Sequence, residues 1–138
     1  MPLNPNSIIM PEPSTVSIET ARLLRKHRFS EPVTHYYSAS GEIVVSLSGE
    51  AVNWNCPTFD VTPRRKVHSA PPLALAQQWL REKKRFDVLV DREYFYGKVG
   101  HYFAKIIRLK DGAISETGKY RSYDKALESG ILKALRML

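Results

Sequence analysis

One cysteine, Cys56, is all the thiol the chain has. It excludes an intrachain disulfide and fits a reducing compartment. No run of about eighteen apolar residues is present, so no membrane-spanning helix is expected. Prolines occupy positions 2, 5, 11 and 13, with no basic region followed by a continuous apolar one, so the N-terminus does not read as a secretory signal. Potential metal ligands are sparse. His27, His35, Cys56, His68 and His101 show no CxxC, HxxxH or HExxH spacing, and structural zinc needs four ligands delivered as close pairs. Phosphate-binding glycine fingerprints and the GxSxG elbow are also missing. These absences set the expectation of a soluble cytoplasmic protein with no membrane partner, no cofactor and no metal.

What is present suits one globular domain: 138 residues, 43% apolar and 25% charged. A chain of this length buries about two thirds of its unfolded surface, enough for a core without covalent staples. Carboxylates are in the minority, 14 against 21 Lys and Arg, for a net charge of +7. The excess is uneven. Residues 1–69 carry seven cations against six acids, and residues 70–138 carry fourteen against eight. Such an excess favours polyanionic partners through long-range attraction.

The plainest pattern lies at the C-terminal end. Tyr123, Ala126, Leu127, Gly130, Ile131, Ala134, Leu135 and Leu138 recur at helical spacing, with Ser122 as the cap. Ala126, Gly130 and Ala134 form a small-residue row that would let this helix approach a sheet closely. Upstream, residues 1–16 read as an extended segment, and 17–138 as a single domain. Ser17 caps a short helix edged by Ile18, Ala21 and Leu24. Val33–Ser38 and Glu42–Ser48 read as a hairpin, and residues 49–69 as a long irregular loop. Ser69-Ala-Pro-Pro opens a second helix with a Leu73, Ala76, Leu80 stripe widened by Leu75 and Trp79. Phe86, Val88 and Val90 alternate as a strand, Gly97 and Gly100 mark a loop, and His101–Leu109 and residues 113–120 complete three strands. The expected fold is α+β, with helices packed on one face of a mainly antiparallel sheet, in the order αββ-loop-αβββα. Arg22–Phe29 weakly echoes Trp79–Phe86, each at a helix-to-strand junction, and with nothing else aligned the echo reads as coincidence.

Few residues assemble into chemistry. Cys56 lies between Asn55 and Pro57 with no local base, so it reads as a small inert hydrophobe. Asp87, Asp91 and Glu93 share one strand face, which suits a divalent ion or acid–base work; a solvated face that discourages edge pairing explains them more simply. Cations cluster more clearly: Arg22/Arg25/Lys26/Arg28, Arg64-Arg65-Lys66, Lys83-Lys84-Arg85, and Lys105/Arg108/Lys110. Tyrosines at 94, 96, 102 and 120 are close by, and aromatics among cations can stack bases. The contact residues singled out are Arg64, Arg65, Lys66, Lys83, Lys84, Arg85, Lys105 and Arg108.

Gly100-His101-Tyr102-Phe103 and Ala126…Ala134-Leu135, in an αβββα order over 70–138, resemble the double-stranded-RNA-binding domain. That family grips phosphate with a lysine pair at the start of its last helix, where this chain has Ser122-Tyr123-Asp124-Lys125, so the resemblance is one of topology. Asn53-Trp54-Asn55, Ala70-Pro71, Ala74-Leu75-Ala76-Gln77, Trp79-Leu80-Arg81 and Tyr120-Arg-Ser-Tyr123 followed by Ala126-Leu127-Glu128 resemble a group of small uncharacterised phage- and prophage-associated proteins of gut bacteria. That likeness implies a mobile-element origin and no mechanism. The resulting expectation is a phage-related, basic, non-enzymatic binding module contacting a host or phage macromolecule. The alternative is a nucleic-acid-binding accessory protein, and a small hydrolase or nuclease is the remote one.

Overall fold

The computed structural model describes residues 14–138. Of the extended segment expected over 1–16, residues 1–13 lie outside the described residues. The elements are α1 (Ile18–Lys26), β1 (His35–Tyr37), β2 (Ile43–Val45), β3 (His68–Ser69), α2 (Leu73–Trp79, continuing as a π-helical turn Leu80–Lys84), β4 (Phe86–Phe95), β5 (Lys98–Arg108), β6 (Ile114–Glu116) and α3 (Tyr123–Arg136). The fold is α+β. Its strands form two antiparallel three-stranded sheets, ordered β2-β1-β3 and β4-β5-β6.

Both expected caps are made. Ser17 Oγ accepts from the Thr20 N–H and Ser122 Oγ from the Lys125 N–H, each satisfying a first-turn donor that has no helical partner. The α3 stripe is buried from Ala126 to Leu135, whereas its outer members Tyr123 and Leu138 are exposed. α3 lies across β4 and β5 and also touches α1 and α2, so it joins the larger sheet to the other two helices. Gly130 makes the close approach. A Cβ there would stand 2.6 Å from the Ala104 methyl and 2.7 Å from Val88 Cγ1. The small-residue row therefore seats the helix directly on the sheet.

Strand alternation places Phe86, Val88, Ala104 and Ile106 under α3. The other face of that sheet carries Asp87, Leu89, Asp91, Glu93, His101, Phe103, Lys105 and Ile107, with no helix over it among the described residues. Gly97 and Gly100 do not open a loop. β4 runs to Phe95 and β5 restarts at Lys98 around a two-residue turn, Tyr96-Gly97, in which both φ angles are positive. The Phe95 ring packs over Gly100, which is why glycine is needed inside β5.

Residues 49–69 are ordered by single long-range polar contacts rather than by periodic packing. Val52 pairs with Val33, and the Trp54 indole N–H donates to the Val33 carbonyl. Asn55 donates to the Phe29 carbonyl and accepts from the Ser69 N–H. A 3-10 turn follows at Pro57–Phe59, and β3 ends the segment. Arg25 and Asp60 form an ion pair at 2.8 Å with only 14% and 11% of their side chains exposed. Arg25 also donates to the Val67 carbonyl. Burial alone would raise the Asp60 carboxyl, but the Arg25 hydrogen bond and charge hold it below the usual carboxylate value.

Candidate functional site

Three of the four sequence clusters of cations come together, and the fourth divides. The loop cluster sits on a tight turn in which Thr62 Oγ1 accepts from the N–H groups of Arg64 and Arg65. This turn exposes Arg64, Arg65 and Lys66. Lys66 and Arg25 line one cavity of about 470 Å³. On α1, Arg22 and Lys26 are one helical turn apart and both exposed, so they extend the cationic face along the helix. α1 ends at Lys26-His27-Arg28, and Lys84 of the α2 extension is close enough to act electrostatically on His27. Lys84 also lies over the Trp79 ring, 5.5 Å from its centroid, while Phe29 meets that ring edge-on. Beyond them Lys84, Arg85, Arg108 and Lys110 line a second cleft of about 480 Å³, floored by Phe86 and Leu109.

The result is a cationic band running from Lys66 along α1 to the ends of α2 and β5. Asp60 and Asp111 are engaged, by Arg25 and by Arg108 at 2.7 Å, while Glu31 and Glu82 line a small cavity with Lys83 and make no ion pair among the described residues. Arg22, Lys26, Arg28, Arg64, Arg65, Lys66, Lys83, Arg85 and Lys110 make no ion pair among the described residues. Some of these cations complement the carboxyl ends of the α1 and α2 dipoles, which explains Arg25, Lys26, Lys83 and Lys84 locally. That account does not reach the turn at 64–66 or Lys110.

Lys105 lies elsewhere. It is on the bare sheet face, 3.3 Å from Asp91 and 5.7 Å from the Phe103 ring centroid. Glu93 is likewise paired, with Lys119 at 2.9 Å. Asp91 and Glu93 therefore sit on a cation-matched surface, whereas Asp87 on the same face makes no ion pair among the described residues and has a buried Oδ1 without a hydrogen-bond partner there. The Arg92 backbone N–H and Lys105 hold Asp91 below the usual carboxylate range, the opposite of what a general acid needs. Among the described residues no three His, Cys, Asp or Glu cluster as metal ligands would. Cys56 has a neighbour that sequence reasoning missed. The Thr58 hydroxyl donates to Sγ at 3.2 Å and lowers the thiol, with Arg25 adding a smaller effect.

Two histidines report the field of the band. Burial, then Lys26 and Lys84, holds His27 below its ordinary 6.5. Burial, then Arg25 and Arg22, does the same for His68, with Asp60 opposing. Both are thus easier to protonate in the unfolded chain. Their contribution to stability is present above about pH 6.5 and is lost as pH falls from there through the folded pKa values. Chemical unfolding is expected to show stability falling between about pH 7 and pH 5.5, with the slope reduced in His68→Asn.

No helix among the described residues is long and apolar enough to cross a membrane. Compared with family models, with curated proteins and with solved structures, the chain matches none.

Proposed function

We propose that this chain is a non-enzymatic binding module, of phage or prophage origin as its sequence resemblance implies, and that its partner is a nucleic acid held through backbone phosphates. One observation carries the reading. Cations that are dispersed in sequence gather into a band in which they outnumber the carboxylates, while Asp91 and Glu93 of β4 lie on a separate sheet face, paired with Lys105 and Lys119. A band of this kind attracts and orients a phosphate chain, and it carries no group placed to break a bond. The dsRBD-like αβββα order is compatible with this function, but the αβββα half holds only part of the band.

Fluorescence anisotropy with labelled duplex and single-stranded probes tests the proposal. Binding is expected at low salt, weakening linearly in log–log form as salt is added, because neutralised phosphates release counterions. Failure of both probes to bind at low salt removes the nucleic-acid reading. Substrate turnover that depends on Cys56, or on Asp87 and Asp91, would overturn the non-enzymatic one.

A further inference from the structure

Arg28 and Arg85 share an unusual backbone state. Their φ angles are +69° and +61°, in the left-handed region where a Cβ is strained and glycine is the ordinary occupant. Each stands at the end of a helix and immediately precedes a buried phenylalanine, Phe29 or Phe86. At α1 the arrangement is a Schellman motif. The Phe29 N–H donates to the Leu24 carbonyl and the Arg28 N–H to the Arg25 carbonyl. At the α2 extension the Arg85 N–H reaches back to the Leu80 carbonyl, and the Arg85 carbonyl accepts from Leu109. The sequence echo between the two segments therefore corresponds to a left-handed residue before a buried phenylalanine in both places, closed by different hydrogen bonds.

In neither case does the arginine side chain repay the strain inside the protein. Both are exposed, and neither has an ion-pair partner among the described residues. Both belong to the cationic band, Arg85 lining the 480 Å³ cleft with Lys84, Arg108 and Lys110. A guanidinium offers a planar fork that matches phosphate oxygens, which glycine cannot supply. Backbone strain kept at an exposed position is consistent with a role outside folding.

Resting on the nucleic-acid reading above, we infer that Arg28 and Arg85 are the phosphate-gripping residues of the band, and that the cleft lined by Arg85 takes a backbone phosphate. The bound chemistry is a phosphate group, and the macromolecule that supplies it is a nucleic acid.

The test is the double variant Arg28→Gly/Arg85→Gly, compared with Lys105→Gln/Lys119→Gln, which loses the same net charge from the opposite sheet face. Chemical unfolding, anisotropy with a labelled DNA duplex, and thermal unfolding with inorganic tripolyphosphate are measured on each. The glycine variant is expected to fold better, by roughly fivefold in folding equilibrium constant per site. It should also lose about tenfold or more in duplex affinity, and its log affinity against log salt slope should shrink by about 1.8. The glutamine variant should bind as the native chain does. Tripolyphosphate should raise the melting temperature of the native protein and not that of the glycine variant. Equal binding by the glycine variant and the native chain overturns the inference, as does a glycine variant that folds less well. If the native chain binds tripolyphosphate through these arginines but no nucleic acid, the functional reading fails and the phosphate site stands. If it binds duplex independently of them, the reverse holds. Binding of neither overturns both.

Discussion

Leu135→Ala is expected to lower the unfolding free energy by about 2–5 kcal/mol, the cost of removing a leucine side chain from a core that can only partly close around the gap. Leu135 is 1% exposed, on the helix that touches the larger sheet and both other helices. A cavity there weakens the element that ties the larger sheet to the other two helices. The neighbouring Gly130 contact adds to the effect. With the helix backbone already against Ala104 and Val88, it has little freedom to sink and fill the space. Leu138 supplies the comparison, since it continues the same stripe but is 41% exposed. Leu138→Ala should cost under about half a kcal/mol. Chemical denaturation of both variants decides the matter. A loss at Leu135 as small as that at Leu138 would mean the stripe does not face the core.

Reversing the charge of the exposed turn, in Arg64→Glu/Arg65→Glu/Lys66→Glu, is expected to reduce duplex affinity on the order of a hundredfold at low salt, with a slope against log salt smaller by about 2.7. The turn is built for display. Its backbone is fixed by Thr62, and its base by the nearly buried Arg25–Asp60 pair, so the three side chains contribute little to folding. Stability should therefore change by less than about half a kcal/mol, as for surface substitutions generally. Anisotropy titrations over a salt series, together with an unfolding curve, separate the two effects. Lost affinity with lost stability would indicate a damaged loop, and unchanged affinity would take the turn out of the interface.

The helices and the larger sheet were legible in the sequence because their signals are local and periodic. The serine caps, the α3 stripe and the Phe86, Val88, Val90 alternation each lie within one element. Residues 49–69 were not legible. Their order depends on Asn55 bridging Phe29 to Ser69, Trp54 reaching Val33 and Asp60 meeting Arg25, single contacts between distant residues that leave no pattern. The division into two sheets was hidden for the same reason, since β3 is a two-residue strand that pairs back with β1. Within the candidate site, every cation cluster could be found by inspection. Their grouping could not. The α1 and α2 ends meet through Phe29 and Trp79, and the β4–β5 register sets Lys105 beside Asp91. Arg28 and Arg85 left a trace in the echo of two short segments. Its meaning, a shared left-handed turn before a buried phenylalanine, appears only in the backbone angles.

If position in the band rather than net charge governs nucleic-acid binding, two triple variants of equal charge will differ in their salt slopes. Lys26→Gln/Lys66→Gln/Lys110→Gln removes one cation from each of three stations of the band. Lys98→Gln/Lys105→Gln/Lys119→Gln removes three from the hairpin tip and the acidic sheet side. The first variant's slope is expected to fall by about 2.7 while the second keeps that of the native chain. Equal losses in the two variants would contradict it, because they would show diffuse attraction to a basic protein rather than a bound phosphate track.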